Sequence, residues 1–299
     1  MSFEKPSTVK LAAAFAAVYL IWGSTYLAIR YAIQTIPPLV MASGRFLTGG
    51  AILYLWSRLN GVSAPSLNRW KSAFIAGVLL LTVGNGGVVL AEQTVPSGLT
   101  AVLVATVPLW VALLSWIRPG GRRPSPQVSI GIVLGLAGVA TLIGIDNLHG
   151  NAVDHVGAAI LVFSSISWAL GSLYNSHVKL SSSPLQGSGM QMIAGGTCLF
   201  IASIVSGEIF HFHPAAVSLR SLAALAYLAV FGAIVAFTAY SWLLKATTAA
   251  RAATYAYVNP VVAVFLGWFI AAEPITVRTI VAMSIIVAAV IVITTARTT

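Results

Sequence analysis

Ionisable side chains are scarce in this 299-residue sequence, and those inside apolar stretches are the first candidates for chemistry. Arg45 lies within ASGRFLTGG, where a charge at mid-helix costs about 2.5–3.5 kcal/mol on insertion scales. It must face protein or a water-filled cavity, either as a substrate or gating contact or as a structural arginine bonding helix-end carbonyls. Four apolar stretches also carry a polar-aromatic face at helical spacing. Trp22 and Tyr26 stand one turn apart with Tyr19 nearby, and Trp168, Ser172 and Asn175 form a second face. Thr82 and Asn85, with Glu92 two turns on, form a third, and Tyr255 with Asn259 a fourth. Together they suit a cavity for a small amphipathic solute, and singly each is also readable as an interface anchor. Aromatic faces there attract an ammonium group by roughly 0.5–2 kcal/mol each. Glu92 reads either as an interface carboxylate or as a partly buried one that takes up a proton, pairs with a substrate ammonium group or pairs with Arg45. The nearby Gly84, Gly86 and Gly87 would let a neighbouring backbone approach that face. Pro108 and Pro260 each remove a helix hydrogen bond and are expected to bend their helices.

Other chemistries lack their residues. No Ser-His-Asp arrangement, phosphate loop or zinc spacing occurs, and all five histidines fall in expected loops or at span ends. No catalytic residue, metal or cofactor is therefore expected.

The elements that must hold these residues follow from composition. Charged residues make up 7% and hydrophobic ones 58%, with a mean hydropathy of +0.93. A soluble protein carries roughly 25% charged residues, and disorder requires low hydrophobicity, so an integral membrane protein remains. The net charge of +10 does not indicate nucleic acid, because the basic residues are scattered between apolar runs. Cys198 is the single cysteine, so no intramolecular disulfide forms. A span takes about 20 apolar residues, which leaves room for about ten. Transmembrane helices are expected at about 11–30, 38–57, 70–90, 96–117, 127–145, 156–178, 184–206, 217–243, 248–270 and 275–295. With a cytoplasmic N-terminus, twelve basic loop residues fall inside and only Arg30, Arg220 and Arg278 outside. This bias predicts both termini in the cytoplasm.

The sequence also repeats itself. At an offset of 146, Trp22 meets Trp168, Pro38-Leu39 meets Pro184-Leu185, Gly49-Gly50 meets Gly195-Gly196, and Arg45 meets Gln191. At 148, Gly23-Ser24-x-Tyr26 meets Gly171-Ser172-x-Tyr174, and at 152, Pro108 meets Pro260 and Trp116 meets Trp268. Two halves, 1–147 and 148–299, with five spans each would enter the membrane in opposite senses, as in many secondary transporters. Gly131, Gly135 and Gly138 form a small-residue seam that reads as helix packing within one chain or, alternatively, as a dimer contact.

IWGSTY (Ile21 to Tyr26), VGNGGVVLAEQTVPSGLTAVLVATVPLW (Val83 to Trp110) and AYVNPVVAVFLGW (Ala256 to Trp268) resemble bacterial exporters of the drug/metabolite transporter superfamily, of the EamA type. The similarity runs from about residue 10 to 296. It implies a basket of ten helices around a central cavity and export of amino acids or other small metabolites across the bacterial inner membrane. It also implies that Arg45 is the family's second-span arginine, Pro108 and Pro260 its paired prolines, and Glu273 the acid after the ninth span. The family's usual Gly-Glu is Ala272-Glu273 here. The expected partners are a small-molecule substrate, the lipid bilayer and, as a candidate, a coupling proton. Substrate, coupling ion and oligomeric state stay open. The competing readings are an exporter of drugs or other amphipathic solutes, an intramembrane lipid-modifying enzyme, and a non-transporting membrane subunit.

Overall fold

In a bilayer every backbone polar group must bond within the protein, so apolar runs of this length become helices. The computed structural model describes residues 7–95, 100, 103–118, 121, 123–143, 155–271 and 277–296, and all regular structure among these is helical. The helices are α1 (Thr8–Ala32), α2 (Pro38–Leu59), α3 (Leu67–Ala91), α4 (Val107–Ile117), α5 (Pro126–Ile143), α6 (His155–His177), α7 (Pro184–Val205), α8 (Leu219–Ala246), α9 (Tyr255–Ala271, after a one-turn lead-in at Ala249–Ala252) and α10 (Val277–Thr295). Among the described residues α1, α2, α3, α6, α7 and α8 are each long and apolar enough to cross a membrane. Shorter apolar helical stretches lie at Val107–Ile117, Pro126–Gly138 and Ile280–Ile293. The expected count of ten spans goes beyond these six.

Local chemistry sets the helix ends. The Ser7 and Ser218 hydroxyls accept from the Lys10 and Ser221 amides at the starts of α1 and α8. Prolines open α2 and α7, where a missing N–H costs nothing. Glu208 reaches across from beyond α7 to accept from the Leu39 amide at 2.8 Å, which places a carboxylate on the positive end of α2. The Lys245 ammonium donates to the Asn175 and Val178 carbonyls and so closes the C-terminal end of α6.

The outer surface is apolar. Leu20 and Trp56 are each 60% exposed, the signature of a lipid-facing wall. Because lipid is as apolar as leucine, the helices associate through close packing rather than hydrophobic burial. α7 is the clearest case. A Cβ at Gly50 of α2 would stand 2.8 Å from the Ile193 amide, and one at Gly77 of α3 2.4 Å from the Gln191 carbonyl oxygen. The seam in α5 packs within the chain, with Gly131 and Gly138 against Ile293 and Ile286 of α10 and Gly135 against the Tyr257 ring.

The packing is reciprocal between the halves. α2 packs on α7 and α5 on α10, while α1 lies on α8 and α9 as α6 lies on α3 and α4. Two departures from regular helix recur in both halves. α3 winds as a π-helix over Val78–Asn85, and α8 does so over Leu228–Phe237. The helical stretch before α4 breaks at Ala105-Thr106, and the lead-in to α9 breaks at Ala253-Thr254. The Thr106 and Thr254 hydroxyls each bond back three residues, to the Leu103 and Arg251 carbonyls, in matching turns. This corrects the expectation for Pro108. It opens α4 after a break, where its ring fits, instead of bending a continuous helix. Pro260 does lie inside α9.

Candidate functional site

A cavity of ≈ 670 Å³, counted out into its mouth, lies between the halves. α1 contributes Trp22 and Tyr26, α6 contributes Trp168, and α9 contributes Tyr255 and Asn259. α2 brings Arg45, and the π-helical segments of α3 and α8 bring Gly84 with Asn85 and Gly232 with Phe237. A π-turn is wider than an α-turn and is common at functional sites. Here each π-segment presents a glycine to the tryptophan of the opposite half. The Trp22 indole N–H donates to the Gly232 carbonyl at 3.1 Å. In the mirrored position the Trp168 ring covers Gly84, where a Cβ would stand 2.9 Å from Trp168 Cε3. Any side chain at Gly84 would displace that ring.

The cavity is bounded by aromatic rings. Trp22 meets Trp168 edge-on with centroids 5.5 Å apart, Tyr255 at 4.7 Å and Tyr240 at 5.0 Å. Tyr240 is fully buried, bonds Ser172 at 2.6 Å and accepts from the Trp168 N–H at 3.2 Å. One turn from Trp22 toward the N-terminus of α1, Tyr19 and Thr254 share a 2.5 Å hydrogen bond. These contacts seal the side of the cavity nearest the N-terminus of α1.

Arg45 is buried, 4% exposed, and lines the cavity. Its Nε and Nη1 bond nothing, so the reading in which it ties down helix-end carbonyls is not what the packing presents. The side-chain oxygens Oδ1 of Asn85 and of Asn259 are likewise buried without partners.

Several residues are placed differently from the expectation. Glu92 does not line the cavity. It ends α3 with Oε1 buried and unbonded, close enough to Arg45 for the two charges to interact. Ser172 stands behind the rings and bonds Tyr240 and the Trp168 carbonyl. Thr82 donates to the Gly195 carbonyl on α7 and so faces away from Asn85. Gly84, Gly86 and Gly87 admit side chains, those of Trp168, Leu199 and Ser164, and not a backbone. Glu273 lies outside the described residues. Spacing along the sequence does not mark Tyr240, Ser164 or Ser165. A tyrosine followed by Ser241 in the apolar run of α8 is the available signal for the first.

Residues 10–144 and 155–295 each match the EamA-like transporter family. Over 279 residues the chain is 43% identical to a protein known as the uncharacterized inner membrane transporter YedA of Escherichia coli strain K12, covering 93% of this chain and 88% of that one. The transporter YoaV of Bacillus subtilis strain 168 is 25% identical over 91% of this chain and 92% of its own. A solved crystal structure of a protein 20% identical to this one superposes with a TM-score of 0.78 over 96% of both chains, a likeness of fold.

Proposed function

Because the chain belongs to the EamA-like transporter family, we propose that it is a secondary transporter that exports small metabolites, amino acids or related compounds among them, across the bacterial inner membrane. The observation that carries this reading is the cavity between two reciprocally packed halves, with an aromatic seal on one side and buried polar atoms left without partners. In this reading ten spans form two inverted five-helix halves that rock about the cavity. Purified protein in liposomes tests it. Uptake or counterflow of at least one solute from a panel of amino acids and metabolites is the expected result, and no movement of any would remove it. Export of drugs or other amphipathic solutes is the competing specificity, and the same panel separates the two.

Orientation follows from the basic residues. Both termini are expected in the cytoplasm, so the sealed side faces inward and the cavity faces the periplasm. A reporter active only in the periplasm, fused after Thr299, is expected to be silent. Activity there would mean that the number of spans is odd.

Glu92 has the role of a coupling carboxylate behind the lining. Its unbonded Oε1 and its nearness to Arg45 support this. Glu92→Gln is expected to lower transport and flatten its pH dependence between about pH 5.5 and 8. Rates unchanged across that range would take Glu92 out of the mechanism.

A further inference from the structure

We propose that Arg45 is a carboxylate seat, so that the cavity selects solutes bearing one carboxylate group and holds their remaining body against Trp22, Trp168 and Tyr255. The inference rests on the transporter reading and adds the ligand's chemistry and the residue that selects it.

A guanidinium buried away from water is costly unless it is paired, and its planar fork of donors matches the two oxygens of a carboxylate. Arg45 is 4% exposed, lines the cavity, and leaves Nε and Nη1 unbonded. Glu92 is near enough to be felt but makes no hydrogen bond through Oε1. The donors of Arg45 are therefore free for a ligand that arrives through the cavity.

With Glu92 behind the lining, the charge of the lining itself matches a ligand with one negative charge. Among the described residues that line the cavity Arg45 is the only cation. The Lys245 ammonium is held by the carbonyls of α6, and Arg251 donates to the Ala296 carbonyl. A doubly charged phosphate would find no second cation. The seat is also single. Gln191, which takes the place of Arg45 in the second half, donates to the Gly187 carbonyl and does not line the cavity. The apolar part of the ligand has the aromatic rings to rest on. An α-ammonium group, where the ligand has one, has the unpartnered Oδ1 atoms of Asn85 and Asn259 as acceptors. An amino acid in its zwitterionic form therefore carries a partner for each kind of open group, and a simple carboxylate carries one for the arginine alone.

Four compounds with one isobutyl body separate the possibilities: L-leucine, L-leucinamide, 4-methylpentanoate and 3-methylbutylamine. Binding to the purified full-length protein is read as the rise in unfolding temperature against concentration. L-leucine and 4-methylpentanoate are expected to act at concentrations at least about tenfold lower than the amide and the amine, a difference of about 1.4 kcal/mol. Arg45→Gln is expected to erase that difference, and Arg45→Lys to keep the preference with weaker binding. Equal effects of all four compounds, a stronger effect of the amide or amine, or no effect of either carboxylate would overturn the proposal. Should Arg45→Gln fail to fold, the wild-type ranking and Arg45→Lys still decide. Liposome counterflow keeps the two readings apart. A protein that moves 3-methylbutylamine and ignores the carboxylates remains a transporter and loses the seat. One that binds the carboxylates and moves nothing keeps the seat and loses the transporter reading.

Discussion

Trp22→Ala is expected to lower transport by about tenfold or more while the protein still reaches the membrane. Trp22 touches three other rings, Trp168, Tyr240 and Tyr255, and its N–H holds the Gly232 carbonyl in the π-helical segment of α8. Truncating a packed tryptophan costs about 3–5 kcal/mol, and the lost hydrogen bond about 1 kcal/mol. In a lipid-embedded protein that loss falls on interhelical packing, here between α1, α6, α8 and α9. The cavity then loses both its apolar contact surface and part of its seal. Trp168→Ala is expected to have the same sign and a smaller effect, because Tyr240 and Ser172 still close that side. Trp22→Phe separates packing from the hydrogen bond, since it keeps a ring and loses the donor. Its transport should fall between wild type and Trp22→Ala. Uptake at wild-type rates in both alanine variants, measured in liposomes at matched protein content, would remove the aromatic wall from the mechanism.

The residues legible from the sequence were those whose chemistry contradicts their surroundings. Arg45 is a charge in an apolar run, and Trp22 with Tyr26 or Tyr255 with Asn259 is a polar-aromatic pair at helical spacing, so periodicity alone pointed to one face. All of these line the cavity. What periodicity cannot express is a change of period. The π-helical winding over Val78–Asn85 sends Thr82 to α7 and Asn85 to the cavity, although regular spacing grouped them. Tyr240 is hidden in the sequence for a related reason. It follows the second π-segment, and its partners lie on other helices, so no spacing within α8 marks it. The repeat was visible as matched tryptophans, but not its reciprocity, in which Trp22 serves the glycine of the second half and Trp168 that of the first. The break at Ala105-Thr106 was hidden behind Pro108, whose chemistry fits a helix start as well as a kink.

Gly77→Leu is expected to abolish recovery of folded, monodisperse protein, and Gly77→Ala to destabilise it by about 1–3 kcal/mol. The argument is steric and concerns the backbone. A Cβ on Gly77 would stand 2.4 Å from the Gln191 carbonyl oxygen and 3.0 Å from the Gly195 amide, and one on Gly195 would stand 2.7 Å from the Gly77 carbonyl oxygen. None of these three backbone atoms can turn aside as a side chain would, so α3 and α7 must separate. Helix pairs in lipid depend on such close approach of small residues, and the separation removes contacts that no hydrophobic burial replaces. The consequence reaches the cavity, because the π-helical segment begins at Val78, directly after Gly77. Gly77 therefore sets the position from which Gly84 meets the Trp168 ring and Asn85 meets the cavity. Gly44 supplies the contrast. It lies beside Arg45 in α2, and a Cβ there meets nothing within 4 Å. Gly44→Ala is accordingly expected to leave stability unchanged or slightly raised, since alanine favours helix over glycine by about 1 kcal/mol. Thermal unfolding and size-exclusion profiles of the three variants in one detergent read the difference. A Gly77→Ala protein as stable as Gly44→Ala would mean that α3 and α7 do not approach as closely as their backbones indicate.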